Sequence, residues 1–345
     1  MILNLKNVEE LAAAPNKFTM QEGIKMINST RIPEKLLRSL LMEQYELVPA
    51  TLEFLPLGLD YNAAVYHIVS GQQVSYLLKV TSRPLYEPCY LVPSYLNQQG
   101  ITSVVAPISN SRGALWTQLR DWTVVVYPFI DGESSFEGML AEQWNKLGIA
   151  LKLIHQVILP PEGFHSLRQE MFNPAEYIRW VRTFENHNAR FESVNTIENE
   201  LRAAWDKNRP TIHAMLTSLK EQAGLLQSRT IPYVICHADL HPANVIRDEA
   251  GQVFVIDWDE VMLAPKERDF IFVGMPHADA FFQGYGTTEI DETALAYYRL
   301  ERDIQDLIEC ARVVCTMDDF ALEEEAKSKS NAVKLFQCIL AKERT

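Results

Sequence analysis

The stretch from Val234 to Asp259, V-I-C-H-A-D-L-H-P-A-N-V-I-R-D-E-A-G-Q-V-F-V-I-D-W-D, constrains the fold of this chain more than any other. Two short β-branched runs, Val234-Ile235 and Val253-Phe254-Val255-Ile256, lie on either side of a polar segment with a turn at Ala250-Gly251. The pattern predicts strand, polar loop, strand, hairpin and strand. Polar residues fall where the strands end, so His237, Asp239, His241, Asn244 and Asp257 are expected at one rim of a small sheet. Polar side chains among apolar neighbours need a compensating purpose.

Phosphoryl transfer supplies one. It asks for a carboxylate that orients the attacking hydroxyl and accepts its proton, and for an amide oxygen and a second carboxylate that hold magnesium on a triphosphate. Asp239, Asn244 and Asp257 are those three groups, in H-x-D-x-x-x-x-N spacing followed by a hairpin that returns the second metal ligand to the same rim. At these residues, and through I-D-W-D-E-V-M-L-A-P-K-E-R-D from Ile256 to Asp269, the sequence resembles the aminoglycoside phosphotransferase and choline kinase group. The resemblance runs from about Leu36 to about Thr316 and leaves the first thirty or so residues and the tail outside it.

The resemblance implies an α+β, bilobed, protein-kinase-like fold, with a small N-terminal antiparallel-sheet lobe and a larger, mainly helical C-terminal lobe. Residues 1–30 read as an extension with no assigned role, 31–130 as the nucleotide-binding lobe ending in a hinge, and 131–345 as the helical lobe with catalytic loop and acceptor pocket. From Pro33 to Tyr45, Leu36, Leu37, Leu40 and Leu41 recur at helical spacing. Three strand-like runs follow, Thr51 to Leu57, Ala63 to Val69 and Val74 to Val80, separated by short loops that predict an antiparallel meander.

In a kinase-like lobe the first of those loops covers the nucleotide phosphates, which gives Gly58, Asp60 and Asn62 that role; an ordinary tight turn is the competing reading. Lys79 ends an apolar strand and needs either solvent or a charge partner. The kinase reading puts it on the α and β phosphates, braced by Glu87 from the next helix, though a solvated, dipole-favoured helix-terminal glutamate accounts for Glu87 as well. A helix interrupted at Pro93 runs from Tyr90 to Asn97, and strands are expected at Val104 to Ile108, Ala114 to Leu119 and Trp122 to Ile130. By resemblance the end of the last strand, Tyr127, Phe129 and Ile130, is the hinge that grips adenine; a plain core strand is the alternative.

Beyond Gly132 the periodicity turns helical. Leu140, Trp144, Leu147, Leu151 and Ile154 form one stripe, ended by His155, which reads as a packed or solvent-edge histidine. Helices are also expected after Pro174, from Ile197 to Leu226, from Pro265 through Val273, from Glu292 to Met317 behind a capping Asp291, and from Val333 to Leu340. The resemblance makes Asp269 the acceptor for backbone N–H groups of the catalytic loop and lets His237 pack beneath that loop, leaving His241 open. Asp259 and Glu260, just past the metal site, are placed to pair with protonated amines of an acceptor.

The expected reaction is transfer of the γ-phosphate of ATP, with Mg²⁺, to a hydroxyl of a small and cationic acceptor. The resemblance favours an aminocyclitol or aminoglycoside antibiotic such as spectinomycin, with choline, methylthioribose or another amino alcohol as the alternative. A zinc hydrolase built on His237, Asp239 and His241 is a second reading, weakened by Pro242 and by the lack of another His-rich cluster. A catalytically inactive nucleotide-binding module is a third. A protein kinase is disfavoured, because the interval from Asp257 to Pro265 is too short for an activation segment and Trp258-Asp259 stands where F-G would be.

Composition narrows the partners. With 45 acidic and 32 basic residues, a net charge of −13 argues against nucleic acid or an anionic membrane. Five cysteines without a C-x-x-C pair suit a reducing cytosol, the N-terminus lacks a signal-peptide pattern, and no eighteen apolar residues run together, so a cytoplasmic protein is expected.

Overall fold

The structure is a computed structural model that describes residues 32–55, 62–160, 163–188, 196–274, 276–286, 289–316 and 322–342. The N-terminal extension and the loop bearing Gly58 and Asp60 lie outside the described residues. Along the chain, helix α1 (Glu34–Tyr45) precedes strands β1 (Pro49–Leu55), β2 (Ala63–Ser70) and β3 (Ser75–Thr81). Helix α2 (Pro88–Gln98), strands β4 (Thr117–Leu119), β5 (Trp122–Pro128) and β6 (Glu133–Ser134), helix α3 (Ala141–Gln156) and strand β7 (Arg168–Gln169) come next. Helices α4 (Ala175–Asn188) and α5 (Thr196–Gln227) lead to β8 (Val234–Cys236), β9 (Val245–Arg247), β10 (Val253–Val255) and β11 (Met262–Ala264). Helices α6 (Ala278–Tyr285), α7 (Glu292–Thr316) and α8 (Leu322–Lys342) follow.

These elements divide into two compact units, one of residues 30–170 with 233–289 and one built on 171–232 with 290–345. The division does not fall at the 130/131 boundary expected from the sequence, since the N-terminal sheet groups with the segment 233–289.

In the first unit a five-stranded sheet has the order β1-β2-β3-β5-β4. The meander is antiparallel as expected, with Val65 opposite Lys79 and Lys79 opposite Val125. Period-two alternation sorts its two faces. Ala64, Tyr66, Ile68, Leu78, Val80, Val124 and Val126 are buried together with Leu37, Leu40, Leu41 and Tyr45 of α1. The opposite face therefore carries Val65, His67, Leu77, Lys79 and Val125, and is the one left for the site. Lys79 does not end its strand, because β3 runs on through Thr81.

Other expectations need correction. Val104 to Ile108 is not a strand; it makes one isolated bridge, Val104 to Val255, and the Val105 N–H donates to the Val255 carbonyl at 3.1 Å. Helix α2 begins at Pro88 and passes through Pro93 without a break. The segment after Pro265 forms a 3-10 turn, Lys266–Phe270, in place of a helix. The strands of the central stretch do not share one sheet. β8 pairs with β11, and β9 pairs with β10 and β6, giving two three-stranded sheets, β7-β11-β8 and β10-β9-β6.

Helix α3 lies against α6 so closely that glycines stand at the contact. A Cβ on Gly148 would sit 2.1 Å from the Phe281 carbonyl oxygen, and one on Gly284 would sit 1.9 Å from that of Asn145.

In the second unit α4, α5, α7 and α8 pack as helices around Trp205, Leu216, Tyr297, Tyr298 and Phe336. Buried Glu185 accepts from Trp205 Nε1 at 3.1 Å and pairs with Arg209 at 2.9 Å. The Asp291 carboxylate accepts the Thr293 and Ala294 N–H groups and so caps α7. Helix α8 is much longer than the expected Val333–Leu340. Among the described residues no helix is long and apolar enough to cross a membrane.

Candidate active site

The loop between β8 and β9 is shaped by one buried carboxylate. Asp269, fully inaccessible, accepts the His237 N–H at 2.9 Å and the Ala238 N–H at 2.8 Å, the arrangement expected for it. It also lies 3.1 Å from Nε2 of His155, whose Nδ1 is 2.9 Å from the Tyr285 hydroxyl. Burial alone would raise the pKa of Asp269, but the His155 hydrogen bond and the charges around it hold the carboxyl below its ordinary range. His155 was not legible as a partner, because 114 residues separate the two.

Both ends of the site pass through the left-handed region, Ala238 with φ 70° and Asp257 with φ 61°. Each costs an L-residue about 1–2 kcal/mol. His237 fills the space between them. Its Nε2 donates to the Ile256 carbonyl at 2.8 Å, and its Nδ1 accepts the Asp239 N–H at 3.3 Å. Those roles assign the neutral tautomer. Its ring meets Trp258 edge-on at 4.8 Å, so His237 does pack beneath the loop.

Asn244 is 5% exposed and ties three strands' ends together. Its amide nitrogen donates to the Asp239 carbonyl at 2.9 Å, and its own carbonyl accepts the Ile256 N–H at 3.0 Å. The second bond sets Asp257 beside Asn244. The first leaves Oδ1 as the remaining acceptor of the Asn244 side chain, which with the Asp257 carboxylate makes an all-oxygen donor set suited to a hard divalent cation. Asp239 stands on the same loop with His241 Nε2 3.5 Å from its Oδ2.

Lys79 reaches the turn after β10 from β3. Its Nζ lies 2.8 Å from Asp257 Oδ1 and 2.8 Å from Asp259 Oδ2. Burial disfavours its charge, yet the two carboxylates outweigh that and hold its pKa well above the ordinary lysine value. Desolvation also works against ionisation of Asp257, and the Lys79 ammonium overcomes it, lowering that pKa; at Asp259 burial and the Asp257 charge win and push it up.

The partner foreseen for Lys79 was Glu87, and the structure does not bring them together. Glu87 is exposed at the start of α2, and the Lys79 ammonium pairs with Asp257 and Asp259 instead. Asp259 is on the lysine and has Arg83 at 3.7 Å, so it is not free for an acceptor amine in this arrangement. Glu260 pairs with Arg168 at 3.0 Å, and the Arg168 guanidinium lies 4.0 Å above the Tyr86 ring.

At the expected hinge, Tyr127 lies in β5 opposite Leu77, and Pro128 closes the strand opposite Tyr76. Burial pushes the Tyr127 hydroxyl well above its ordinary pKa. Phe129 packs on His67 with ring centres 4.3 Å apart, and its N–H reaches the Ser75 carbonyl at 3.4 Å. Ile130 continues past the strand, and Asn62, exposed, accepts the Ser82 N–H at 2.8 Å.

The hydrolase reading loses its ligands. His237 has both ring nitrogens committed, and among the described residues the one group of metal-ligand types is His155, Cys236 and Asp269. That group is buried and hydrogen-bonded within the protein, with Cys236 Sγ 3.5 Å from the Ala264 carbonyl.

With this geometry in place, the sequence matches the family model described as the phosphotransferase enzyme family over residues 53–307. The chain belongs to the phosphotransferase enzyme family. Its kinase-like α+β fold is shared with solved small-molecule kinases. A spectinomycin phosphotransferase crystallised with ADP and spectinomycin is 28% identical with a TM-score of 0.77, the match covering 90% of this chain and 99% of that one. An amicoumacin kinase in complex with AMP-PNP and Ca²⁺ is 17% identical, with a TM-score of 0.58 and coverage of 90% and 95%. An ethanolamine kinase of Plasmodium vivax is 14% identical, with a TM-score of 0.59 and coverage of 96% of each chain. Comparison with curated protein sequences finds no match.

Proposed function

We propose that this phosphotransferase moves the γ-phosphate of ATP to a hydroxyl of a small cationic acceptor, in first place an aminocyclitol of the spectinomycin type. The observation that carries the reaction is Lys79 Nζ, 2.8 Å from Asp257 on the turn after β10, which the Ile256 N–H bond to the Asn244 carbonyl ties to the loop holding Asp239 and Asn244. The acceptor rests on the likeness to a spectinomycin phosphotransferase over nearly its whole length.

Each side chain then has a task. Lys79 neutralises phosphate oxygens from the sheet side. Asn244 Oδ1 and the Asp257 carboxylate would hold a divalent cation, Mg²⁺ in this reading, which supplies charge neutralisation on the triphosphate. Asp239 accepts the hydrogen bond of the acceptor hydroxyl, aligns its oxygen with the γ-phosphorus and takes its proton. His237 and Asp269 keep the loop rigid while this happens. Tyr127, Phe129 and Ile130 line the adenine end, and Gly58, Asp60 and Asn62 belong to the loop assigned to the phosphates. Glu260 offers its carboxylate to an acceptor amine once Arg168 yields.

The test measures ADP release with spectinomycin, other aminoglycosides, choline, ethanolamine and methylthioribose. Asp239→Ala should lower kcat about 10²–10⁴-fold while nucleotide binding persists. Turnover of another alcohol with none of spectinomycin would remove the acceptor and keep the class. Wild-type turnover unchanged in Asp239→Ala would remove the mechanism.

A further inference from the structure

The turn after β10 sorts its side chains. Asp257 sits at φ 61°, Trp258 is 3% exposed with its ring on His237, and the Val261 N–H closes the turn on the Trp258 carbonyl at 3.1 Å. With Trp258 anchored inward, Asp257 and Asp259 emerge together on the other side, and both meet Lys79. They are not equivalent. The Asp257 side chain is 45% exposed and that of Asp259 24%, and Asp259 has a second cation, Arg83, at 3.7 Å.

A lysine whose side chain is only 13% exposed needs a standing counter-charge to keep its ammonium in one place. Asp257 cannot be that group throughout the cycle, because the metal assigned to it draws on the same carboxylate. Asp259 has no such second duty. Glu87, the helix-borne carboxylate that the sequence offers for the task, is exposed and makes no ion pair among the described residues.

We propose that Asp259 is the positioning residue for Lys79: it holds the ammonium over the phosphate site when Asp257 turns to the metal, and Glu87 has no part in this. The inference rests on the phosphotransferase reading above and changes the role of Asp259 from amine recognition to nucleotide recognition. Arg83 limits the excess negative charge that two adjacent carboxylates would otherwise present to a triphosphate.

The test compares Asp259→Asn, Asp259→Ala, Asp259→Glu and Glu87→Gln in the full chain. Binding of a fluorescent ATP analogue with Mg²⁺ is measured by titration, beside the KM for ATP, the KM for the acceptor, kcat and the melting temperature. Asp259→Asn, nearly isosteric, should raise the analogue's dissociation constant and the KM for ATP about tenfold or more, with the acceptor KM within about twofold. Asp259→Glu should recover part of that loss, and Glu87→Gln should bind nucleotide within about twofold of wild type. The assignment is overturned if Asp259→Asn binds nucleotide as wild type does while the acceptor KM rises, or if Glu87→Gln loses as much as Asp259→Asn. A wild-type protein that binds no nucleotide would instead bring down the reading underneath.

Discussion

Ala238 sits with φ 70°, and its own N–H and that of His237 must both point at Asp269. Glycine adopts that conformation without a Cβ penalty, at the cost of a more flexible unfolded chain, and a β-branched residue adopts it poorly. Ala238→Gly should therefore change stability by less than about 1 kcal/mol and keep activity, whereas Ala238→Val should lose about 2 kcal/mol or more. Urea unfolding of the two variants, side by side, checks the order.

Asp269 itself carries an acid dependence. Its folded-state pKa lies below the unfolded value of about 3.9, so its contribution is complete above that pH and is lost as pH falls through the folded value. Asp269→Asn should cost about 2–4 kcal/mol at pH 7, and its stability should fall less steeply than that of wild type below pH ~4. Parallel curves for the two proteins would contradict the brace. At this scale His237, Asp239, Asn244 and Asp257 were legible because their spacing is local. The partnerships of Asp259 with Lys79 and of His155 with Asp269 were not, since each joins groups more than a hundred residues apart.

Helices α3 and α6 meet through backbone. A methyl group at Gly148 has a carbonyl oxygen 2.1 Å away and the Tyr285 nitrogen at 2.7 Å, neither of which can rotate aside. Alanine is the better helix former by about 1 kcal/mol, yet here the clash decides the sign. Gly148→Ala should lower the melting temperature by about 6–12 °C, for a cost of ~3 kcal/mol. Gly224, in α5 with nothing within 4 Å of its would-be Cβ, is the matched control, and Gly224→Ala should hold or raise it. The same contact positions the site, because α3 supplies His155 and α6 supplies Tyr285. Element type and order followed from periodicity for the long amphipathic stretches and the meander. Val104 to Ile108 misled because an apolar β-branched run also suits an irregular buried connection, and Pro265 to Val273 because a proline at a first turn suits a 3-10 turn as well as a helix.

Across the whole molecule 45 acidic residues face 32 basic ones, and the field they create acts on anything that approaches. The two units interleave in sequence, and a boundary drawn from a change of periodicity at Gly132 could not reveal this, because the contacts that define a unit are non-local. Net charge, by contrast, needs no fold to be read. A chain at −13 attracts a cationic acceptor and repels the nucleotide, so salt should affect the two substrates in opposite directions. Raising ionic strength from about 20 to 200 mM shortens the Debye length to below about 10 Å. The kcat/KM for a cationic acceptor should then fall severalfold, that for a neutral alcohol should hold, and the KM for ATP should stay level or improve. Initial rates at fixed Mg²⁺ with matched cationic and neutral acceptors measure it. An equal response of both acceptors would mean that the surface charge does nothing for recognition and that the cation is selected only by contact, through carboxylates such as Glu260.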